Sequence, residues 1–123
     1  RPTPDIGPVV AKIMGNVLIR RIVKFNGNGC DIEIRIKNHS GGTHHFDLHE
    51  TLPYKIGSPS PEPKIISLGQ QIDHVWKISL KAGEQKALVY TLNIAIEEAS
   101  KLPQLVAEGI DEEMITGAKV VNI

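Results

Sequence analysis

The sequence predicts an all-β domain, two antiparallel sheets packed face to face as a sandwich, with a short helix ahead of the first strand. The first observation behind this is the run Cys-Asp-Ile-Glu-Ile-Arg-Ile-Lys-Asn at Cys30–Asn38. Successive side chains of a strand point to opposite faces, so Cys30, Ile32, Ile34 and Ile36 share a dry face while Asp31, Glu33, Arg35 and Lys37 share a wet one. One-sided strands of this kind belong to antiparallel sheets, since strands of a parallel sheet are buried on both faces. The second observation is that short strand-like runs recur along the chain, parted by Gly, Pro and Asn turn signals. The third is size: 123 residues, 41% of them hydrophobic, suit one core. A single cysteine, Cys30, leaves no intrachain disulfide to stand in for that core.

Taken in order, residues 1–16 read as a linker and short helix, the tail of a preceding domain, and residues 17–123 as the sandwich. Pro8 suits the first position of a helix through Val9, Val10, Ile13 and Met14, which share one face, and Gly15-Asn16 ends it. Val17–Phe25 is β-branched, and Asn26-Gly27-Asn28-Gly29 is a tight-turn sequence, so the first two strands form a hairpin. His44–Leu52 alternates again, with His44, Phe46, Leu48 and Glu50 on one side and His45, Asp47, His49 and Thr51 on the other. Residues 57–63 (GSPSPEP) are too proline-rich for an inner ladder and read as an exposed loop or an edge. Lys64–Leu68 is a short strand; residues 74–80 put His74, Trp76, Ile78 and Leu80 on one face; residues 86–94 turn Leu88, Tyr90, Leu92 and Ile94 inward. Residues 96–104 suit a short helix or linker, 111–114 a helical turn, and 105–110 and 118–123 two more strands. The isoleucine row of Cys30–Asn38 is expected to face Trp76, Tyr90 and Leu92 across the interior.

Lys plus Arg equals Asp plus Glu at 14 each, so net charge points neither to a nucleic-acid footprint nor to an acidic tail. No apolar run reaches the roughly 18–20 residues that cross a membrane. The lone cysteine favours a reducing, cytoplasmic setting. No serine lies in a Gly-x-Ser-x-Gly setting, the glycine clusters do not form a phosphate loop, and Cys30 points into the expected core, so the sequence offers no catalytic residues, no cofactor site and no small-molecule substrate. His45, Asp47 and His49 share a strand face, about 6.8 Å apart in steps, where imidazoles and a carboxylate can hold a metal; the competing reading is a solvated outer face, and no metal is assigned. Lys12, Arg20, Arg21 and Lys24 form a basic group suited to phosphates or a protein partner. Arg20 and Lys24 share one face and Arg21 takes the other; the competing reading is a solvated strand face, with Arg21 at an edge or an interdomain contact.

The run EIRIKNHSGGTHHFDLHETL from Glu33, with Leu80-Lys81-Ala82-Gly83-Glu84 and Leu88-Val89-Tyr90-Thr91-Leu92, resembles immunoglobulin-like modules, and this resemblance implies an immunoglobulin-like sandwich. The opening PDIGPVVAKIMG from Pro4 and the closing EGIDEEMITGAK from Glu108 resemble the C-terminal part of the B subunit of archaeal DNA topoisomerase VI. The start at Arg1 suits an excised domain. If so, the intact protein is the ATP-binding subunit of a type IIB topoisomerase, using ATP and Mg and working with a DNA-cleaving A subunit to pass one duplex through another. None of that family's ATP-site motifs occurs here, so the resemblance implies a non-catalytic accessory domain that makes protein or DNA contacts. The rival expectation is an immunoglobulin-like adhesion or interaction module of a cell-envelope or extracellular protein.

Overall fold

A computed structural model of the chain describes residues 17–27, 29–99, 101–103, 105–109, 115–116 and 120–121. The helix expected before residue 16, the helical turn at 111–114 and Lys12 lie outside them. The described residues contain strands β1 (Val17–Phe25), β2 (Cys30–Asn38), β3 (His44–Leu52), β4 (Gly57–Ser60), β5 (Lys64–Leu68), β6 (Gln71–Leu80), β7 (Gln85–Leu92), β8 (Val106–Glu108), β9 (Ile115–Thr116) and β10 (Val120–Val121), with one helical turn, α1 (Ile96–Ala99). The first sheet runs β10-β1-β2-β7-β4, and β9 also pairs with β1; the second runs β5-β6-β3-β8. Pairing is antiparallel except where β9 and β10 run parallel to β1.

The hairpin forms as its turn residues demand. Asn26 N–H donates to the Gly29 carbonyl at 3.1 Å, Phe25 pairs with Cys30, and Gly27 takes the left-handed φ of +96° that glycine adopts without strain. Gly29 is fixed by space: a Cβ there would lie 2.5 Å from the Leu92 carbonyl oxygen. The proline-rich stretch resolves into its edge option, since β4 closes the first sheet against β7 with an irregular register, where a missing N–H is tolerated.

The interior lies between the sheets. Val17, Ile19, Val23, Cys30, Ile32, Ile34, Ile36, Leu88, Tyr90 and Leu92 from the first meet Phe46, Leu48, Leu52, Trp76, Ile78 and Leu80 from the second in one buried cluster. The expected partners of the isoleucine row need one correction. Tyr90 and Leu92 do not face it across the interior but lie beside it in the same sheet, Ile32 paired with Tyr90 and Cys30 with Leu92. Trp76 comes from the opposite sheet and stacks on Tyr90, ring centroids 5.9 Å apart at 21°, while its indole N–H donates to the Pro61 carbonyl at 2.8 Å. Side chains of this size bury the most apolar area and anchor a core.

At one end of the sandwich Asn38 joins the sheets. Fully buried, its amide nitrogen donates to the carbonyls of Gly42 (2.7 Å) and Leu80 (3.1 Å), and its side-chain oxygen accepts from Ser40 N–H (2.9 Å) and Ser40 O–H (2.6 Å). Gly83 N–H donates to the Asn38 carbonyl at 2.8 Å. The loop after β2 and the turn before β7 are thus one hydrogen-bonded unit.

Candidate functional site

Three polar constellations stand out, and the first lies inside. Along β1 the inner face carries Val17, Ile19, Arg21 and Val23, so the alternation itself drives a charged side chain into the core, where Arg21 is 0% exposed. Its guanidinium Nη2 donates to Glu50 Oε1, and the Tyr90 hydroxyl donates to Glu50 Oε2. His74 Nδ1–H donates to the Glu50 carbonyl at 2.9 Å, while its Nε2 accepts from Ile56 N–H at 3.3 Å, which fixes the ring hydrogen on Nδ1. Burial pushes the Glu50 carboxyl above the ordinary glutamate range, against the opposing pull of Arg21 and the Tyr90 hydroxyl. Burial first, and the Glu50 charge second, push Tyr90 well above the ordinary phenol value. This cluster clamps the two sheets together and has no outward face. Arg21 therefore corrects the sequence expectation: a buried pair with Glu50 takes the place of an edge or interdomain contact, and Arg21 is not available to DNA.

The second constellation is the outer face of the first sheet. Arg20 on β1 pairs directly with Arg35 on β2, Leu18 with Lys37, and Lys24 with Asp31. Arg35 reaches Glu33 through two contacts of 3.2 Å, and Asp31 accepts from the Asn26 amide at 3.0 Å. A shallow depression of about 150 Å³ opens between β1, β2 and β7, with Arg20, Glu33, Arg35, Lys37 and Lys86 at its walls. The Arg20 Nε is buried and has no hydrogen-bond partner among the described residues. Arg20 and Lys24 thus lie on the face the sequence gives them, and Arg35 and Lys37 from the neighbouring strand join them. The signal for that addition is the wet side of Cys30–Asn38, two of whose members are cations.

The third lies on the outer face of the second sheet. Asp47 and His49 lie one strand step apart on β3, and β8 brings Glu108 opposite Asp47. One donor atom from each of the three lies within 4.8 Å of the others. His45, expected beside Asp47 and His49, does not join this group. His49 Nδ1 contacts Asp73 Oδ2 at 2.7 Å and Thr51 O–H donates to Asp73 Oδ1 at 3.0 Å.

Comparison with known proteins decides the family. The model for the C-terminal domain of the type 2 DNA topoisomerase 6 B subunit matches residues 1–116. The chain belongs to that family. The type 2 DNA topoisomerase 6 B subunit of Methanosarcina mazei is 50% identical over 121 residues, which are 97% of this chain and 20% of that protein. The B subunit of Methanococcoides burtonii is 46% identical over 124 residues, 99% of this chain and 20% of the relative, and that of Archaeoglobus fulgidus is 25% identical over 118 residues, 96% and 18%. The chain therefore spans about a fifth of the length of the B-subunit relatives it matches. Among solved structures, an exo-β-N-acetylglucosaminidase from Vibrio harveyi aligns with a TM-score of 0.53 at 9% identity, over 88% of this chain and 18% of that enzyme, a likeness of fold alone. Membership of the B-subunit family answers the choice between topoisomerase component and adhesion module. Among the described residues no helix is long and apolar enough to cross a membrane.

Proposed function

We propose that this domain is a non-catalytic accessory module of the ATP-binding B subunit of topoisomerase VI, with an immunoglobulin-like sandwich, and that its Arg20–Arg35 face contacts the phosphates of duplex DNA. Family membership supports the first part, with ATP, Mg and the A subunit engaged by other parts of the intact, cytoplasmic enzyme during duplex passage. One observation carries the second. Arg20 and Arg35 stand directly across from each other on adjacent strands, an arrangement that costs stability between like charges; Glu33 offsets part of it on the Arg35 side at 3.2 Å, and a phosphate beside Arg20 relieves the rest. Lys24 and Lys37 extend the positive face along the sheet.

Fluorescence anisotropy of a labelled duplex, titrated with the chain across a series of salt concentrations, tests this. Binding is expected to weaken steeply with salt, and Arg20→Ala with Arg35→Ala to reduce the log–log slope by about 2, one for each phosphate no longer neutralised. Salt-insensitive binding, or a double variant that binds like the parent, overturns the DNA assignment.

A further inference from the structure

The cluster on the opposite sheet has the construction of a metal site. Its centre is His49, whose two ring nitrogens have different surroundings. Nδ1 is held at 2.7 Å by Asp73, and Asp73, itself buried, is held in turn by the Thr51 hydroxyl at 3.0 Å. A carboxylate on one imidazole nitrogen fixes the tautomer and ring orientation, leaves the lone pair on the other nitrogen, and makes it a better ligand. That other nitrogen, Nε2, is shielded from solvent and has no hydrogen-bond partner among the described residues. It points to where Glu108 Oε1 stands 3.5 Å away, with Asp47 across the β3–β8 ladder from Glu108.

We propose that Asp47, His49 and Glu108 bind a divalent transition cation of the zinc type, with Asp73 positioning His49 and water completing the coordination. Metal–donor distances of about 2.0–2.2 Å put neighbouring donors of a tetrahedral ion about 3.4 Å apart. The His49–Glu108 separation already meets that, and the whole set, spread over no more than 4.8 Å, closes by rotation of surface side chains, Glu108 being 73% exposed. The competitor for Asp47 among the described residues is Lys77, whose Nζ lies 3.7 Å from Oδ1 on a side chain 87% exposed, so it can swing into solvent at little cost. One imidazole and two carboxylates suit zinc and its neighbours better than magnesium, which prefers an all-oxygen octahedron.

The test is calorimetric titration of the chelator-stripped chain with zinc chloride, paired with cobalt chloride followed by visible absorption. One zinc per chain is expected, with a cobalt spectrum of low coordination number. His49→Ala should abolish both signals, and Asp73→Asn should weaken zinc binding by about 10- to 100-fold, the usual effect of losing the carboxylate behind a ligating histidine. Glu108→Gln, at an exposed position that leaves folding untouched, should weaken binding independently of any damage at Asp73. His45→Ala, on the same strand face but outside the cluster, should leave the stoichiometry and affinity unchanged. Zinc binding that persists in both His49→Ala and Glu108→Gln overturns the proposal, as does a parent chain that takes up no zinc or binds magnesium equally well.

Discussion

Arg20 and Arg21 are neighbours in sequence with the same side chain and opposite fates. Arg21 points between the sheets, where it is fully buried and paired with Glu50; Arg20 points outward, opposite Arg35. The peptide unit between them turns the side chains to opposite faces of β1, and that parity alone makes one arginine part of the fold and the other part of a surface. Desolvation of the buried Arg21 guanidinium is offset by one carboxylate, through Nη2 alone, while its Nε and Nη1 have no hydrogen-bond partner among the described residues. A guanidinium at the surface, half-buried as Arg20 is, contributes less to stability.

The contrast is most easily broken at Arg21. Arg21→Ala strands the Glu50 carboxylate in the interior and should lower unfolding free energy by about 3–5 kcal/mol, measured by urea denaturation. Replacing the set together, with Arg21→Met, Glu50→Leu and Tyr90→Phe, should recover most of that loss, because well-packed apolar side chains often match a buried ion pair. Asn38→Ala comes next, at about 1–3 kcal/mol, since it strips the buried Leu80 carbonyl and the Gly42 carbonyl of their donor and frees one end of the sandwich.

A pH series sharpens the interior half of the contrast. Burial holds the Glu50 carboxyl above the ordinary glutamate range, so between that range and the raised folded value the folded chain binds more protons than the unfolded one. The stability linked to Glu50 is therefore complete below the ordinary range and is lost as pH rises through the raised value. Urea midpoints of the parent, set against Glu50→Gln across that window, should show the parent losing ground with rising pH; parallel curves would contradict the assignment. The smallest stability effect belongs outside. Arg20→Ala and Arg35→Ala should each change unfolding free energy by no more than about 0.5 kcal/mol.

Much of this was legible in the sequence, and the limits follow from what parity can carry. The alternation of Cys30–Asn38, His44–Leu52 and residues 74–80 assigns each side chain to a face, and it already puts Glu50 beside Phe46 and Leu48 and sets Arg21 opposite Arg20. A charge on the dry face of each of two strands is the signal for a buried pair, although an edge or interdomain contact fits the same parity. Strand neighbours are another matter. Tyr90 and Leu92 lie beside the isoleucine row because β7 pairs with β2, and inward-pointing residues look alike whether they are adjacent in one sheet or opposed across two. Glu108 joins Asp47 and His49 through a pairing of β3 with β8 that bridges some sixty residues of chain, a distance over which local periodicity carries no information. His45 shares the right face, but its partner on β6 is Ser79, which is no metal ligand of this kind.

The proposed function requires the outward side of β1 and β2 to meet phosphate while the inward side holds the fold. That division is tested most directly by the salt dependence of duplex binding for the parent chain and for the Arg20→Ala, Arg35→Ala double variant, both shown folded by their urea midpoints. A steep parent slope is expected, with a shallower one in the variant by about 2 and midpoints that nearly coincide. Equal slopes, or a midpoint that collapses with the loss of Arg20 and Arg35, would contradict it.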